Sequence, residues 1–234
     1  MSLITILDSS VSDDSILKID EFSVDVDPVE NDPISFRFAV GTKVRVIGDG
    51  AFYTNSARTI SAGSSFTVAN ESQNYYCGAT VTKFAVSGRY SLLSFKFLNG
   101  EARNYVVNYD FEFTSNLYYI RMAYASRMNV KALSNKSALE IVSLSGSGTT
   151  GDMANVENST NLKELTLYRT AASGTMTDLG GRFTKLTLLS VTGSAVTGTA
   201  ADFKTAARAA GRVTGTCTVT DASNMTTVVD FSTP

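Results

Sequence analysis

Most residue types that enzymes use for catalysis are missing from this chain of 234 residues. It contains no histidine, which excludes a Ser-His-Asp or Cys-His nucleophile, an imidazole base and a His-ligated zinc or haem. Its two cysteines, Cys77 and Cys217, cannot form a zinc site alone, and no phosphate-binding glycine motif occurs. We expect both thiols to be buried and unreactive, with a single disulfide as the alternative. The sequence therefore predicts that the protein is not an enzyme and holds no metal or cofactor.

Aromatic side chains beside amides offer the one pattern here that is typical of ligand binding. Tyr75 and Tyr76 follow Asn70 and Asn74 closely in the chain. An aromatic face combined with amide groups suits a sugar ring, so this pair is a candidate saccharide site. The alternative is that both tyrosines pack inside a β-domain.

The charge distribution points to an N-terminal arm. Residues 1–33 hold nine acids and one lysine, a net charge of −8, whereas residues 34–234 hold 13 acids and 19 bases, a net charge of +6. Such an arm suits docking on a basic surface, although a solvated acidic segment is equally compatible with this composition. Its apolar residues are suited to strand addition on a partner, and we predict that four of them form an assembly arm: Leu3, Ile4, Ile6 and Leu7. The alternative is that Phe22, Val24 and Val26 add a strand to the protein's own β-domain.

Short alternating runs dominate residues 34–113 and predict a small β-sandwich. The run from Ile34 to Val40 is followed by Gly41-Thr42 and a second run from Lys43 to Ile47, a pattern typical of a hairpin. No stretch of 18 apolar residues occurs, and the N-terminus lacks the features of a signal peptide. We therefore expect a protein that is neither secreted nor membrane-spanning.

A repeat with a period of 23 to 24 residues follows residue 113. The pattern L-x-x-L-x-L begins at Leu139, Leu162 and Leu186, and a degenerate copy begins at Leu117. Glycines recur at the same spacing, and apolar residues lie two and five positions beyond each glycine. These three sets are Gly151, Gly174 and Gly198; Met153, Met176 and Ala200; and Val156, Leu179 and Phe203. The period and pattern predict a leucine-rich repeat, in which one strand per unit stacks into a parallel sheet.

The repeat also predicts which side chains point away from the core. Leu165 and Leu167 should point inward, whereas Thr166 between them should point outward. The outward positions form two columns: Tyr119, Ile141, Glu164 and Leu188 in one, and Arg121, Ser143, Thr166 and Ser190 in the other. We single out Tyr119, Arg121, Ile141, Glu164 and Leu188 as a possible interaction surface, with subunit packing or plain solvent exposure as the alternatives. A helix from Asp202 to Gly211 and strands between Arg212 and Phe231 should close the repeats.

The closing segment carries a family resemblance. The run from Thr197 to Phe203 and the run from Ala206 to Thr216 resemble the end of leucine-rich-repeat virion structural proteins in tailed phages of gut Bacteroidales, the crAss-like group included. The resemblance extends over about residues 34–220, and it implies fibres or decorations on a phage head or tail. One departure is that hydroxyl residues, Ser147, Thr170 and Ser194, occupy the positions where ordinary leucine-rich repeats place asparagine. We expect these hydroxyls to bond backbone groups more weakly and to make a shallower solenoid.

The sequence thus predicts a mainly β protein with an acidic arm (1–33), a β-sandwich (34–113) and a leucine-rich-repeat solenoid with a cap (114–234). The expected function is a non-enzymatic structural component of a phage virion, assembled in the host cytoplasm and contacting itself and other virion proteins. The alternative is a module that binds a carbohydrate or receptor on a bacterial surface. No nucleic-acid partner is expected, because no basic stripe stands out.

Overall fold

The computed structural model of the chain describes residues 21–25, 34–87, 92–97, 116–122, 128–146 and 148–233. The fold is mainly β and contains several sheets, as the composition predicts. The described strands are β1 (Glu21–Asp25), β2 (Ile34–Phe38), β3 (Lys43–Val46), β4 (Phe52–Tyr53), β5 (Ser61–Gly63), β6 (Ser65–Thr67), β7 (Tyr75–Cys77), β8 (Lys83–Ser87), β9 (Leu92–Phe97), β10 (Tyr119–Met122), β11 (Ile141–Ser145), β12 (Thr150–Asp152), β13 (Glu164–Tyr168), β14 (Ala171–Thr175), β15 (Leu188–Ser190), β16 (Ala195–Thr197), β17 (Thr216–Thr220) and β18 (Thr226–Asp230), and the described α-helices are α1 (Met176–Arg182) and α2 (Ala200–Ala209).

Five parallel strands form a continuous ladder in the C-terminal half. The order is β10-β11-β13-β15-β17, and the first four strands pair in the register that the sequence spacing predicts. Strand β17, for which the repeat predicts no register, pairs with β15 with Thr218 opposite Leu188. Leu165, for example, lies directly between Val142 and Leu189, and all three side chains are fully buried. One strand alone cannot bury its apolar side, so lateral stacking supplies the core.

The chain returns from each strand through the recurring glycines. A second parallel sheet, β12-β14-β16, and the helices α1 and α2 lie along this return. Gly151, Gly174 and Gly198 have φ angles of +99°, +130° and +99°, a backbone region that favours glycine. The apolar positions that follow the glycines are buried at Met153, Met176, Val156, Leu179 and Phe203, while Ala200 is half-buried.

A helix and two strands form near the positions predicted for the end of the chain. Helix α2 begins two residues earlier than expected because Thr199 caps its N-terminus in a reciprocal arrangement with Asp202. Gly211 follows the helix with a φ of +94°. The last two strands then pair antiparallel, β17 with β18, which makes β18 an edge of the large sheet.

Two sheets enclose an aromatic cluster in the N-terminal half. The four-stranded sheet has the order β1-β8-β3-β6, and the strands β9-β2-β7-β4-β5 continue the ladder into one sheet of 11 strands. Phe36 and Phe52 from the large sheet meet Phe84 from the small one, with ring centroids 4.9 and 5.0 Å from that of Phe84. Each sheet thus covers one side of a shared core.

The predicted hairpin between β2 and β3 is wrong. These strands lie in different sheets: β2 pairs with β7 and β9, whereas β3 pairs with β6 and β8. The chain crosses over at Gly41-Thr42, where the Gly41 amide donates to the Val68 carbonyl. Because one sheet can cover only one side of the aromatic cluster, successive apolar strands are divided between the two sheets.

Part of the predicted arm belongs to the fold. Strand β1 pairs antiparallel with β8 at five positions, from Glu21 opposite Ser87 to Asp25 opposite Lys83. The alternative of an intramolecular strand near Phe22 and Val24 is therefore correct for the backbone. The assembly-arm residues Leu3, Ile4, Ile6 and Leu7, as well as Val26, lie outside the described residues.

The predicted hydroxyl caps differ from one unit to the next. Ser194 Oγ donates to the Val191 carbonyl at 2.7 Å, as expected. Thr170 Oγ1 is buried with no hydrogen-bond partner in the described part of the chain, and Ser147 lies outside that part.

Both cysteines are buried free thiols, which confirms the prediction of buried thiols over the alternative of a disulfide. No helix among the described residues is long and apolar enough to cross a membrane.

Candidate functional site

One face of the 11-stranded sheet points away from the core and gathers most of the predicted binding residues. On β10, for example, Ile120 is buried in the core whereas Tyr119 is half-buried and Arg121 is exposed. Alternate residues of a strand lie on opposite faces, so Tyr119 and Arg121 share one face. We call this face, defined by the lateral partners of Tyr119 and Arg121, the outer face.

The two predicted columns lie on the outer face as laterally paired rows. In the first row Tyr119 pairs with Ile141, Ile141 with Glu164 and Glu164 with Leu188, and all four side chains are half-buried. In the second row Arg121 pairs with Ser143, which leads on to Thr166 and Ser190. Side chains directly opposite on neighbouring strands are close enough to contact one ligand together.

The rows continue beyond the repeats into the N-terminal strands. Arg37 of β2 pairs with Ser94 of β9, and Ser94 pairs with Tyr119 of β10. In the second row, Tyr53 pairs with Tyr76. Arg37, Tyr53 and Tyr76 therefore join the predicted residues on the same surface, and each is half-buried.

The structure separates the two tyrosines of the proposed saccharide pair. Tyr75 is only 6% exposed and does not lie on any surface, so its assignment to an interaction surface is wrong. Its ring stacks on Phe66 with centroids 4.5 Å apart, and burial raises the pKa of its phenol. The physical reason is strand alternation: β7 directs Tyr75 and Cys77 into the aromatic core and leaves Tyr76 on the outer face.

Arg37 forms the most organised polar group on the outer face. Its Nη1 donates to Tyr118 Oη at 2.8 Å, and its Nη2 donates to the Ser72 carbonyl at 2.9 Å. Its Nε–H is buried and has no hydrogen-bond partner in the part of the chain that the structure describes. A cavity of about 350 Å³ lies beside this guanidinium, lined by Arg37, Glu71, Ser72 and Tyr118.

Two fixed segments position the partners of Arg37. The Tyr118 carbonyl accepts hydrogen bonds from the amides of Glu140 and Ile141, which ties this tyrosine to the next repeat. The turn that contains Ser72 is held by Asn70, whose Oδ1 accepts from the Ser72 amide at 2.9 Å. The side chain of Arg37 thus lies between a turn of the N-terminal half and the first strand of the ladder.

Sequence reasoning missed Arg37, Glu71 and Tyr118. The signal for Arg37 was its polar position in the alternating run Ile34-Ser-Phe36-Arg-Phe38, which predicts an outward side chain. Nothing in the sequence indicated that β9 lies between β2 and β10 and so places Arg37 in the same lateral row as Tyr119.

The outer face combines aromatic rings, an arginine and hydroxyls, and tyrosine and arginine are enriched in binding surfaces generally. Among the described residues, no three histidine, cysteine, aspartate or glutamate side chains cluster as metal ligands would. Comparison of the chain with protein-family models, with curated proteins and with solved structures gave no match.

Proposed function

We propose that this chain is a non-enzymatic structural component of a bacteriophage virion, a fibre or decoration protein on the head or tail that assembles with itself and with other virion proteins. We further propose that residues 114–234 form a leucine-rich-repeat solenoid and that residues 34–113 form a β-sandwich that covers its first unit. The proposal combines the family resemblance of the closing segment with the register of the parallel ladder. That register is the observation on which it depends most.

Hydrogen bonds between successive units support the solenoid. Asn158 Nδ2 donates to Asn135 Oδ1 at 2.8 Å across 23 residues, and Asn161 Nδ2 donates to the Ser137 carbonyl across 24 residues. An ion pair of 2.8 Å joins Lys163 to Glu140, again 23 residues apart. Side chains that meet at the sequence period are expected of stacked repeats, because each unit contacts only its neighbours.

Charge complementarity supports assembly through the N-terminal arm. Residues 1–33 carry a net charge of −8 and the rest of the chain carries +6. Such attraction steers docking but is screened over about 8 Å at physiological salt. Because β1 occupies residues 21–25, we assign the docking role to residues 1–15.

Truncation tests this assignment. Deletion of residues 1–15 should leave the melting temperature unchanged but should abolish self-association in sedimentation velocity runs at moderate salt. Deletion of residues 1–33 should also lower the melting temperature, because β8 then loses its partner β1. A full-length protein that sediments as a monomer at all salts and concentrations would contradict self-assembly. The virion role itself is tested by mass spectrometry of purified phage particles, and absence of this polypeptide from them would overturn it.

A second candidate function is attachment to a carbohydrate or receptor on a bacterial surface. The observation that favours it is the composition of the outer face, where Tyr53, Tyr76, Arg37 and Tyr119 lie within five successive strands, β4-β7-β2-β9-β10. Tyrosine and arginine are the residues most enriched in binding hot spots. A glycan-array measurement with the full chain tests this candidate.

A further inference from the structure

The cavity beside Arg37 has the dimensions of a small-ligand site. Its volume of about 350 Å³ lies at the lower end of the roughly 300–1,000 Å³ typical of such sites. It lies between the turn that bears Glu71 and the outer face, so a chain-like ligand could place one unit in it and continue over the sheet. This size suits a single sugar residue.

The Arg37 guanidinium supplies an anion-binding group that is already oriented. Two of its five N–H groups are used, one on Tyr118 and one on the Ser72 carbonyl. Its Nε–H is buried without an acceptor among the described residues. The Nε–H is shielded from the cavity, so a ligand there would use the two Nη N–H groups that remain, and a carboxylate accepts charge-assisted hydrogen bonds from a guanidinium.

The other lining groups select among anions. Glu71 places a carboxylate in the same cavity, which repels a doubly charged phosphate monoester more strongly than a singly charged carboxylate. A carboxylate and the hydroxyl of Ser72 also accept hydrogen bonds from sugar hydroxyls. The rings of Tyr118 and Tyr119, with centroids 6.5 Å apart, offer apolar surface with a polar tip for the face of a sugar.

A second arginine beside a cavity serves as a comparison for the contribution of aromatic rings to the Arg37 cavity. Arg182 Nε is also buried and finds no partner within the described ranges, and its Nη2 donates to the Ala154 carbonyl at 2.7 Å. It lies beside a cavity of about 300 Å³ that is otherwise lined by Thr177, Asp178 and Gly181. No aromatic ring lines that cavity, so it lacks a surface for a sugar face. Arg182 is therefore a matched control for Arg37.

We propose that the Arg37 cavity binds a carboxylate-bearing sugar residue, a uronate, within a bacterial surface polysaccharide. The carboxylate pairs with Arg37, the hydroxyls bond Glu71 and Ser72, and the sugar face packs on Tyr118. This inference rests on the second candidate function and specifies its ligand class.

Calorimetric titration of the full chain with trigalacturonate and with its methyl ester tests the proposal. The acid should bind at least about tenfold more tightly than the ester, which corresponds to about 1.4 kcal/mol. Arg37→Gln should remove this preference, and Arg182→Gln should keep it. Tyr118→Phe, which retains the ring but loses the acceptor for Arg37, should weaken binding of the acid several-fold.

The possible results distinguish a failure of the uronate assignment from a failure of the second candidate function. Equal binding of acid and ester by the unmodified protein overturns the uronate assignment but leaves surface attachment standing, and this comparison holds even if Arg37→Gln does not fold. Loss of acid binding in Arg182→Gln to the same degree as in Arg37→Gln also overturns the assignment, since the effect is then general electrostatics. Failure to bind any saccharide, on this titration and on the glycan array, overturns the second candidate function as well. If Arg37→Gln instead abolishes self-association, the face is a protein interface and the uronate assignment is wrong.

Discussion

Replacing Leu165 by alanine should destabilise the protein by about 3–4 kcal/mol. Leu165 is fully buried at the centre of the ladder, and its lateral partners Val142 and Leu189 are fully buried too. The change removes three carbon atoms, worth about 0.8 kcal/mol each in transfer free energy. The rest of the loss comes from the cavity, which costs about 24 cal/mol per Å³ where neighbours cannot collapse into it. Because strands flank Leu165 on both sides, we expect little collapse.

Thr166→Ala is the matched control for this prediction. Thr166 is the next residue of the same strand, is half-buried and lies on the outer face, so its replacement should change the free energy of unfolding by less than about 0.5 kcal/mol. Urea unfolding followed by circular dichroism measures both variants. For a chain of this size the Leu165 variant should also melt about 10 °C lower. If Leu165→Ala costs less than about 1 kcal/mol, or if Thr166→Ala costs as much, the inward register of the ladder is wrong.

Three further predictions concern the backbone, a charge and a thiol. Gly174→Ala should destabilise the protein by about 1–3 kcal/mol, because φ is +130° and a Cβ would lie 3.1 Å from the Asp152 carboxylate. The control is Gly181→Ala inside α1, where a Cβ meets nothing within 4 Å. This variant should be neutral or mildly stabilising in the same thermal melts. Hydrogen bonds from the backbone and side chain of Thr199 hold the pKa of the Asp202 carboxyl below its ordinary 3.8, so the stability it contributes is present above that pH and is lost as pH falls through the lowered pKa. Melting curves of Asp202→Asn and the unmodified protein should therefore differ at pH 5 or so and converge near pH 2, and a constant difference would contradict this. Burial raises the pKa of the Cys217 thiol to about 11. A thiol reagent at pH 8 should therefore label the native protein slowly and the urea-unfolded protein rapidly. Fast labelling of the native protein would show that the thiol is not buried.

The ladder was predictable because one period fixes two levels of structure at once. The spacing from Leu139 to Leu162 to Leu186 sets which residues are lateral partners, and the alternation within each strand sets which of them face the core. Both conditions must hold for the apolar side to be buried, since a slip of one residue would expose it. The sequence signal is therefore strong wherever units of similar length follow one another.

The N-terminal strands were predictable only as strands. The turn at Gly41-Thr42 is compatible with a hairpin and equally with a crossing between sheets, because turn chemistry is local and strand partners are not. What decides is the packing of Phe36, Phe52 and Phe84, which come from three strands of two sheets. Such contacts between distant positions of a chain that does not repeat leave no periodic signal.

The candidate site contains residues from the predictable ladder and residues from the less predictable N-terminal strands. Tyr119 and Ile141 were placed on one face by the repeat, and the register agrees. For Tyr75 and Tyr76 the sequence predicted a shared role, either on a sugar or in the core, whereas pairing of β7 with β2 and β4 places them on opposite faces.

Arg37 owes its place to the parallel pairing of β9 with β10, which joins the N-terminal strands to the first strand of the ladder. Without that pairing, Arg37 and Tyr118 would belong to separate sheets and could not share a hydrogen bond of 2.8 Å. The cavity therefore forms between the N-terminal strands and the first strand of the ladder, the two parts that the onset of the repeat period separates in the sequence. A ligand bound there would contact both halves, so its binding should depend on the register of the ladder as well as on Arg37 itself.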